Sequence, residues 1–194
     1  MRKLLFTGTA VNKSISSDEF KTGMRQLAGA VSIITTAHEG GCHGLTATAV
    51  NSMTADPPTL IVCVNKSASV HFPITMSRRF CVNVLDESDV ALARQFSSSR
   101  EEVRASRFQD GEWTKLVTGS PVLATSRVSF DCALIDSMES GTHTAFIGVV
   151  QAIKVGNTGS ALIYLDGHFG GYSASQSELA QVVEQAPMRA EQTT

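Results

Sequence analysis

The sequence predicts a mainly β protein, an antiparallel β-barrel with a few helices on its surface. Several β-branched runs are separated by short turns, and helical segments are inserted between them instead of alternating strictly with strands. The sequence contains no G-x-G-x-x-G after a strand, no G-x-x-x-x-G-K-[ST] and no G-x-S-x-G. It therefore lacks the usual marks of a Rossmann domain, a P-loop enzyme or an α/β-hydrolase.

In the first half of the chain, Ser16 and Glu19 fit a capping box that opens a helix, and Gly29 closes it. Its apolar face comprises Phe20, Met24, Leu27 and Ala28. The predicted strands that follow are residues 31–36, 43–53, 59–65 and 80–85. The first two form a hairpin around residues 38–41. The third is continuously apolar, as expected for a central strand covered on both faces, and a short helix at residues 70–77 follows it.

In the second half, Asp86 is predicted to cap a helix through Phe96. Residues 97–102 form a polar surface connection, to which the sequence assigns no chemistry. The later predicted strands are residues 127–134, residues 143–155 and two short strands that end near Tyr172. The domain prediction is a flexible arm at residues 1–15, one domain at residues 16–173, and a C-terminal helix with a disordered tail at residues 174–194.

Composition predicts a protein of the cytoplasm. The chain has 194 residues, 18% of them charged, and a formal net charge of -2, so nucleic acid is not an expected partner. No apolar run is long enough to cross a membrane, and the first one ends at Phe6. C-x-x-C is absent, and Cys63, Cys81 and Cys132 lie in apolar runs that predict buried free thiols.

The most unusual segment is residues 44–58, in which small hydroxyl residues alternate with alanine before Pro57 and Pro58. Thr46 and Thr48 alternate with Ala47 and Ala49, and Ser52 follows. Strand alternation normally places bulky side chains in a core, but these side chains are small. Such a strand lets a planar polar ligand approach the backbone, whose N–H and C=O groups can then bind it.

Two further segments carry polar groups suited to ligands. Ser67 and Ser69 follow Asn65 before a predicted helix start, where they either hold a phosphate or only cap the helix. His143 opens a strand after a turn, so it is either a rim residue of a site or a surface histidine. His38 and His43 suggest a zinc hydrolase, but their separation of five residues and two intervening glycines favour a hairpin turn.

Taken together, these motifs resemble the flavin reductase-like family, the short-chain NAD(P)H:flavin oxidoreductases that serve as reductase components of two-component monooxygenases. The resemblance runs from about Phe20 to Tyr172 and is specific in the order and spacing of its motifs. The segments that carry it are residues 44–52, 56–58, 65–69, 82–85, 119–121, 141–143 and 147–148.

The resemblance implies a homodimeric split antiparallel β-barrel of the FMN-binding, Greek-key type, with flavin at the subunit boundary and no separate nicotinamide domain. The residues it places along the flavin ring and ribityl chain are Thr46, Ala47, Thr48, Ala49 and Ser52. Those it places near the flavin phosphate are Asn65, Ser67 and Ser69, and those it places at the nicotinamide are His143 and Tyr172. The family often has Gly-Asp-His where this chain has Gly141-Thr142-His143.

The activity implied is hydride transfer from NADH or NADPH to FMN or FAD, with reduced flavin released to a partner monooxygenase. No acid or base is required, and the backbone of Thr46, Ala47 and Thr48 is expected to stabilise the reduced ring. Two alternatives stay open. The first is a flavoprotein that reduces another acceptor, such as a cob(II)alamin-type corrinoid or a ferric chelate, and the second is a non-catalytic flavin-binding module.

Overall fold

The computed structural model describes residues 2–3, 14–156 and 159–173. Its strands are β1 (Arg2–Lys3), β2 (Gly29–Ala30), β3 (Ser32–His38), β4 (Gly41–Ala47), β5 (Val50–Ala55), β6 (Pro58–Asn65), β7 (Arg79–Val84), β8 (Trp113–Lys115), β9 (Pro121–Leu123), β10 (Val128–Ser140), β11 (His143–Val155), β12 (Ala161–Leu165) and β13 (His168–Tyr172). Its helices are α1 (Ser17–Met24), α2 (His71–Ser77), α3 (Val90–Ser97) and α4 (Glu101–Ser106), with a 3-10 turn at Glu87–Asp89. The predicted terminal helix and tail, and most of the predicted N-terminal arm, lie outside the described residues.

The largest sheet has the strand order β4-β3-β7-β10-β11-β6-β5, and all neighbours along this path are antiparallel. β1 pairs in parallel with β10, a second sheet has the order β13-β12-β2, and β8 pairs with β9. Register shifts in the β10–β11 ladder, at Asp131/Cys132 and Leu134/Asp136, bend these two long strands. The antiparallel, mainly β prediction is confirmed, although β8 and β9 were not predicted.

The two edge strands of the largest sheet, β4 and β5, are consecutive in the chain. β4 pairs with β3 as far as Ala47↔Ser32, and β5 pairs with β6 from Val50↔Val62. The prediction of one strand over residues 43–53 is therefore wrong, because the chain changes partner at Thr48 and Ala49. The reason lies upstream of β3, since β2 pairs with β12 and offers β4 no further partner.

Two apolar clusters form the core, one on each side of β3. Ile34 packs in the cluster that contains Phe80 and Phe146, together with α2, whereas Ile33 packs with Phe96 and α3. Consecutive residues of a strand point to opposite faces, so β3 is covered on both. All five of these side chains are fully or almost fully buried, so β3 is packed firmly between the two clusters.

The apolar strand β6 differs from its prediction. It lies next to the edge of the sheet, between β11 and β5, and not at its centre. Val62 and Val64 are buried, but Cys63 on the opposite face is exposed. The prediction of a strand covered on both faces, and of Cys63 as a buried thiol, is wrong for the chain as described; Cys81 and Cys132 are buried as predicted.

The helix caps follow the sequence closely. The Glu19 N–H donates to Ser16 Oγ (3.1 Å) and the Ser16 N–H donates to Glu19 Oε2 (2.8 Å), which confirms the capping box. Asp86 also forms a capping box, but it opens the 3-10 turn before α3. α1 ends at Met24, well before Gly29, and its apolar face is exposed. No helix among the described residues is long and apolar enough to span a bilayer.

Candidate active site

A cavity of about 460 Å³ opens where the chain passes from β4 to β5. Four segments meet there: the junction at Thr48 and Ala49 between β4 and β5, here called the break, the loop after β6, the end of α3 with α4, and the start of β11. The lining residues are 45–49, 63, 65, 67–69, 96–99, 104, 107 and 143. Small-molecule sites in proteins are typically about 300–1,000 Å³, so the cavity has room for a ligand of cofactor size.

The break supplies backbone donors. Thr48 and Ala49 lie between β4 and β5, and their carbonyl oxygens accept bonds from the Val50 and Cys63 N–H groups. The N–H groups of Thr48 and Ala49, in contrast, donate to no backbone carbonyl oxygen within the described ranges. Both residues line the cavity and are exposed. Two unused amide donors beside small side chains are suited to the oxygen edge of a planar ring.

Thr46 has a structural task that the sequence did not reveal. Its hydroxyl donates to the Ala93 carbonyl oxygen at 2.7 Å, which ties β4 to α3. The Thr46 backbone and the small side chain of Ala47 still line the cavity. Thr46 thus anchors the strand and presents its backbone to the cavity, but its hydroxyl cannot donate to a ligand while it donates to Ala93.

The loop after β6 is organised by Asn65. Its side-chain oxygen accepts from both the N–H and the hydroxyl of Ser67, each at 2.9 Å. The Ser69 hydroxyl makes no hydrogen bond among the described residues, and it is exposed in the cavity wall. Asn65 and Ser67 therefore shape the loop, and Ser69 is the serine with a free hydroxyl for a ligand.

The His143 turn is fastened to this loop. His143 pairs with Asn65 across β11 and β6, and the Lys66 N–H donates to the Thr142 carbonyl oxygen at 2.9 Å. Lys66 Nζ also forms an ion pair with Glu139 at 2.9 Å. His143 Nδ1 lies 2.9 Å from the Thr142 hydroxyl, within hydrogen-bond distance. Here Thr142 contacts the imidazole at the position where the family often has aspartate.

Sequence reasoning missed the contribution of α3 and α4. Ser97, Ser98 and Ser99 line the cavity together with Arg104 and Arg107. The only sequence signal was a serine run followed by two arginines, which is equally typical of a solvated surface. The predicted polar connection is present at residues 98–100, between α3 and α4, but packing against β4 also places it in the cavity wall, which the prediction did not include.

Arg107 is a buried cation held by the backbone. Its guanidinium donates to the carbonyl oxygens of Gly44 (2.7 Å), Ser98 and Gln95, and it lies 5.6 Å from the Phe96 ring centre. Burial, and secondarily the nearby guanidinium of Arg104, lower the pKa of Arg107. Among the described residues it has no carboxylate partner within ion-pair distance. Its charge therefore remains available to attract an anion.

Arg104 also lines the cavity and is partly buried. It pairs with Glu101 one turn earlier on α4, and its buried Nε has no hydrogen-bond partner among the described residues. The lining of the cavity includes Arg104 and Arg107 but no aspartate or glutamate. Although the whole chain is slightly acidic, this cavity is positively charged, as an anionic ligand requires.

Two predicted site residues lie elsewhere in the single chain. Ser52 is exposed on β5 opposite Leu60, outside the cavity lining. Tyr172 lines a separate, largely apolar cavity of about 510 Å³ on the β12–β13 hairpin. The other predicted residues, namely Thr46, Ala47, Thr48, Ala49, Asn65, Ser67, Ser69 and His143, all come together.

The zinc alternative loses its support in the geometry. His38 and His43 lie on the β3–β4 hairpin, and Glu39 and Gly40 form its turn with positive φ angles of 49° and 77°. The predicted turn is confirmed. In the parts of the chain that the structure describes, no group of three His, Cys, Asp or Glu side chains is placed to hold a metal ion.

Comparison with known families decides the identity. The model of the flavin reductase like domain matches residues 24–173. The chain belongs to the flavin reductase-like family. This assignment confirms the predicted resemblance and the enzyme class, an NAD(P)H:flavin oxidoreductase.

Named relatives of this flavin reductase-like chain agree. The FMN reductase (NADH) RutF of Pantoea ananatis is 40% identical over 153 residues, covering 79% of this chain and 80% of its own. That of Stutzerimonas stutzeri is 38% identical over 169 residues, covering 87% and 96%.

Solved structures share the fold. A crystal structure from Haemophilus somnus 129Pt, assigned as a flavin reductase, has a TM-score of 0.77 and 37% identity, covering 81% of this chain and 99% of its own. BorF, the flavin reductase component of a bacterial two-component tryptophan halogenase, has a TM-score of 0.76 and 25% identity, covering 82% and 100%. The predicted split barrel of this flavin reductase-like protein is confirmed.

Proposed function

We propose that this protein uses NADH to reduce FMN and releases the reduced flavin to a separate monooxygenase. The observation that carries the proposal is a single cavity lined by unused backbone donors, two arginines and His143. A flavin mononucleotide has the matching groups, since its ring edge accepts hydrogen bonds and its phosphate is anionic. NADH as donor and FMN as acceptor are also the substrates in the names of the RutF relatives.

The chain's own residues then have distinct roles. Thr48 and Ala49 offer N–H groups to the ring oxygens, where donors become more valuable as negative charge develops. Ala47 and Ala49 have too little bulk to keep a ring away from the backbone. Ser69 and Arg104 meet the phosphate, and Arg107 adds charge behind them. When bound, the flavin supplies the hydride acceptor, so the protein needs mainly to position two rings.

His143 is proposed to contact the nicotinamide. It stands on the cavity rim, and its imidazole is oriented by Thr142 and by the pairing of β11 with β6. The proposal predicts that His143→Ala raises the KM for NADH about tenfold, the loss expected for one good contact, while the Kd for FMN changes less than twofold. Lys115→Ala, an exposed change on β8, serves as the matched control.

Anaerobic stopped-flow with FMN or FAD and with NADH or NADPH tests this directly. Flavin bleaching should follow mixing, and the variant should slow it at low NADH but not at low flavin. If NAD(P)H oxidation does not depend on added flavin, the proposed activity is excluded. If flavin binds without being reduced, the non-catalytic binding module is the correct interpretation.

Release of reduced flavin distinguishes the proposed partner from the alternative acceptors. After anaerobic reduction, ultrafiltration should recover reduced FMN in the filtrate, as a separate oxygenase requires. Retention of reduced flavin on the protein would instead favour direct reduction of a bound acceptor, such as a corrinoid or a ferric chelate.

We also propose that the protein is a homodimer with its active site at the subunit boundary. Phe20, Met24 and Leu27 leave an apolar face uncovered at α1, and Tyr172 is 59% exposed. Exposed apolar faces of this kind are typical of subunit contacts. If His143 of one copy works with Tyr172 of the other, a mixture of His143→Ala and Tyr172→Ala subunits regains activity, because each heterodimer contains one intact site. No recovery, or a monomer by light scattering, would refute the shared site.

A further inference from the structure

A further cavity of about 330 Å³, here called the Arg94 cavity, adjoins the proposed flavin cavity at the break. Its walls come from the end of β4, from α3 and from the β12–β13 hairpin. The backbone segment from Thr46 to Thr48 lines both cavities, whereas the Arg94 side chain and the rings of Tyr164 and Phe169 line only this one. The Arg94 cavity is therefore a neighbour of the proposed flavin site and not a part of it.

Arg94 places a free guanidinium in the wall of this cavity. Its Cζ lies 5.0 Å from the centre of the Phe169 ring, in a cation–π contact that holds the side chain over β13. Among the described residues, the guanidinium has no ion pair and donates no hydrogen bond. None of the described residues that line the cavity is an aspartate or a glutamate. The N–H donors of Arg94 are therefore available to an anion, and a carboxylate can accept from them in a bidentate pair.

Two aromatic rings form the apolar part of the wall. The ring centres of Tyr164 and Phe169 are 5.1 Å apart, and the two ring planes are inclined at 60°. Val31, which is fully buried, lines the same cavity. Such rings attract another aromatic ring in an offset or edge-to-face contact. A volume of about 330 Å³ is at the lower end of the range for small-molecule sites, so the cavity suits a single ring and not the fused ring system of a flavin.

The charge of Arg94 distinguishes the expected ligand from a nicotinamide. The reduced nicotinamide ring is uncharged and would leave the guanidinium without a counter-ion. The oxidised ring is a cation, which Arg94 would repel. An aromatic carboxylate meets both requirements of the wall, because it carries one negative charge and one aromatic ring.

We propose that the Arg94 cavity binds a small aromatic carboxylate, with the carboxylate on the Arg94 guanidinium and the ring against Phe169 and Tyr164. Binding is non-covalent and uses groups that the proposed reduction of flavin does not use. The site goes beyond the proposed function and does not require a bound flavin, so the two can be tested separately.

Benzoate is the probe, and its Kd is measured by isothermal titration calorimetry without flavin or NADH. Benzamide has the same ring without the charge, and cyclohexanecarboxylate has the charge without the aromatic ring. Arg94→Gln removes the cation at an exposed position of α3, so little effect on folding is expected. Arg100→Gln, at an exposed arginine that lines neither cavity, is the matched control. Arg104→Gln removes a cation of the flavin cavity alone.

We expect benzoate to bind the unmodified protein with a Kd of about 1 mM or lower, as suits a ligand of this size. Arg94→Gln should weaken benzoate binding at least about tenfold, whereas Arg100→Gln and Arg104→Gln should leave its Kd within about twofold. Benzamide should bind at least about tenfold more weakly than benzoate, and cyclohexanecarboxylate at least about threefold more weakly.

Unchanged benzoate binding in Arg94→Gln, or an equal loss in Arg104→Gln, would overturn the proposal, because the anion would then bind elsewhere. Benzoate that binds no more tightly than benzamide or cyclohexanecarboxylate would also overturn it. The Kd of FMN, measured by fluorescence titration, should stay within about twofold in Arg94→Gln, and a loss of about tenfold would assign Arg94 to the flavin instead. If benzoate binds but FMN does not, the proposed function fails and this inference stands; if FMN binds but benzoate does not, only this inference fails.

Discussion

Arg107 is expected to be the residue whose loss most damages both the fold and the site. It joins β4, through Gly44, to the end of α3, through Ser98, by hydrogen bonds from a charged group. Each such bond contributes about 1.5–3 kcal/mol, so two predict a loss of about 3–6 kcal/mol in Arg107→Ala. Removing the guanidinium also removes its desolvation cost, so we expect a loss of about 3 kcal/mol, at the lower end of this range. That is a large fraction of the roughly 5–15 kcal/mol that stabilises a typical domain.

Urea unfolding followed by tryptophan fluorescence provides the assay. Trp113 is the single tryptophan, and its ring centre lies 4.9 Å from that of Phe108, directly after Arg107. All variants are compared at one protein concentration, because the stability of the proposed dimer would depend on it. Arg107→Lys keeps the charge but cannot reach both carbonyl oxygens, so its loss should be about half as large. An unfolding free energy for Arg107→Ala within about 1 kcal/mol of the unmodified protein would refute the reasoning.

Three further changes test other parts of the structure. In Gly29→Ala the new Cβ would lie 2.9 Å from the Thr48 Cβ, so we expect the free energy of unfolding to fall by about 1–3 kcal/mol and FMN binding to weaken. Gly23→Ala on α1, where nothing lies within 4 Å of the new Cβ, should not destabilise the protein. Equal FMN titration and unfolding curves for the two variants would contradict this. Thr142→Val removes the contact with His143 Nδ1 and should raise the KM for NADH about threefold to tenfold at unchanged FMN affinity. Thr142→Ser keeps the hydroxyl and should restore the KM. If serine does not restore it, the hydroxyl does not position the imidazole. The Ser88 N–H, and then Arg127, hold the pKa of Asp86 below its usual value. The stabilising effect of Asp86 is therefore present above about pH 4 and is lost as the pH falls through the lowered folded pKa. In Asp86→Asn the free energy of unfolding should fall less between about pH 5 and pH 2 than in the unmodified protein, and an equal fall in both, measured by urea unfolding, would exclude this role.

The hydroxyl-rich segment shows where sequence reasoning stops. Its alternation correctly predicted strand structure. The ligand-binding role of its small residues is still a proposal, and the cavity supports it. The break at Thr48 and Ala49 was not predicted, because local alternation is the same on both sides of it. Strand pairing is set by partners distant in sequence, and here the loss of a partner depends on β2 joining β12.

The α3–α4 segment shows a second limit. Residues 97–107 are polar and rich in serine and arginine, a composition that suits an exposed surface. Their place in the site follows from contacts with β4 and from burial of Arg107, which reaches Gly44, 63 positions earlier in the chain. No local pattern carries a contact of that range.

The sequence by itself determined the features that depend on neighbouring residues: the capping box at Ser16, the turn at Glu39 and Gly40, the Asn65 loop and the motifs that place the chain in its family. Each of these is governed by backbone conformation or by hydrogen bonds over a few residues, which local side-chain chemistry dictates. The tertiary structure alone decided that β4 and β5 part at Thr48, that Arg104 and Arg107 close over the site, and that the Arg94 cavity adjoins it. These features depend on which distant segments pack together, and the free energy of that packing belongs to the whole chain and not to any one motif.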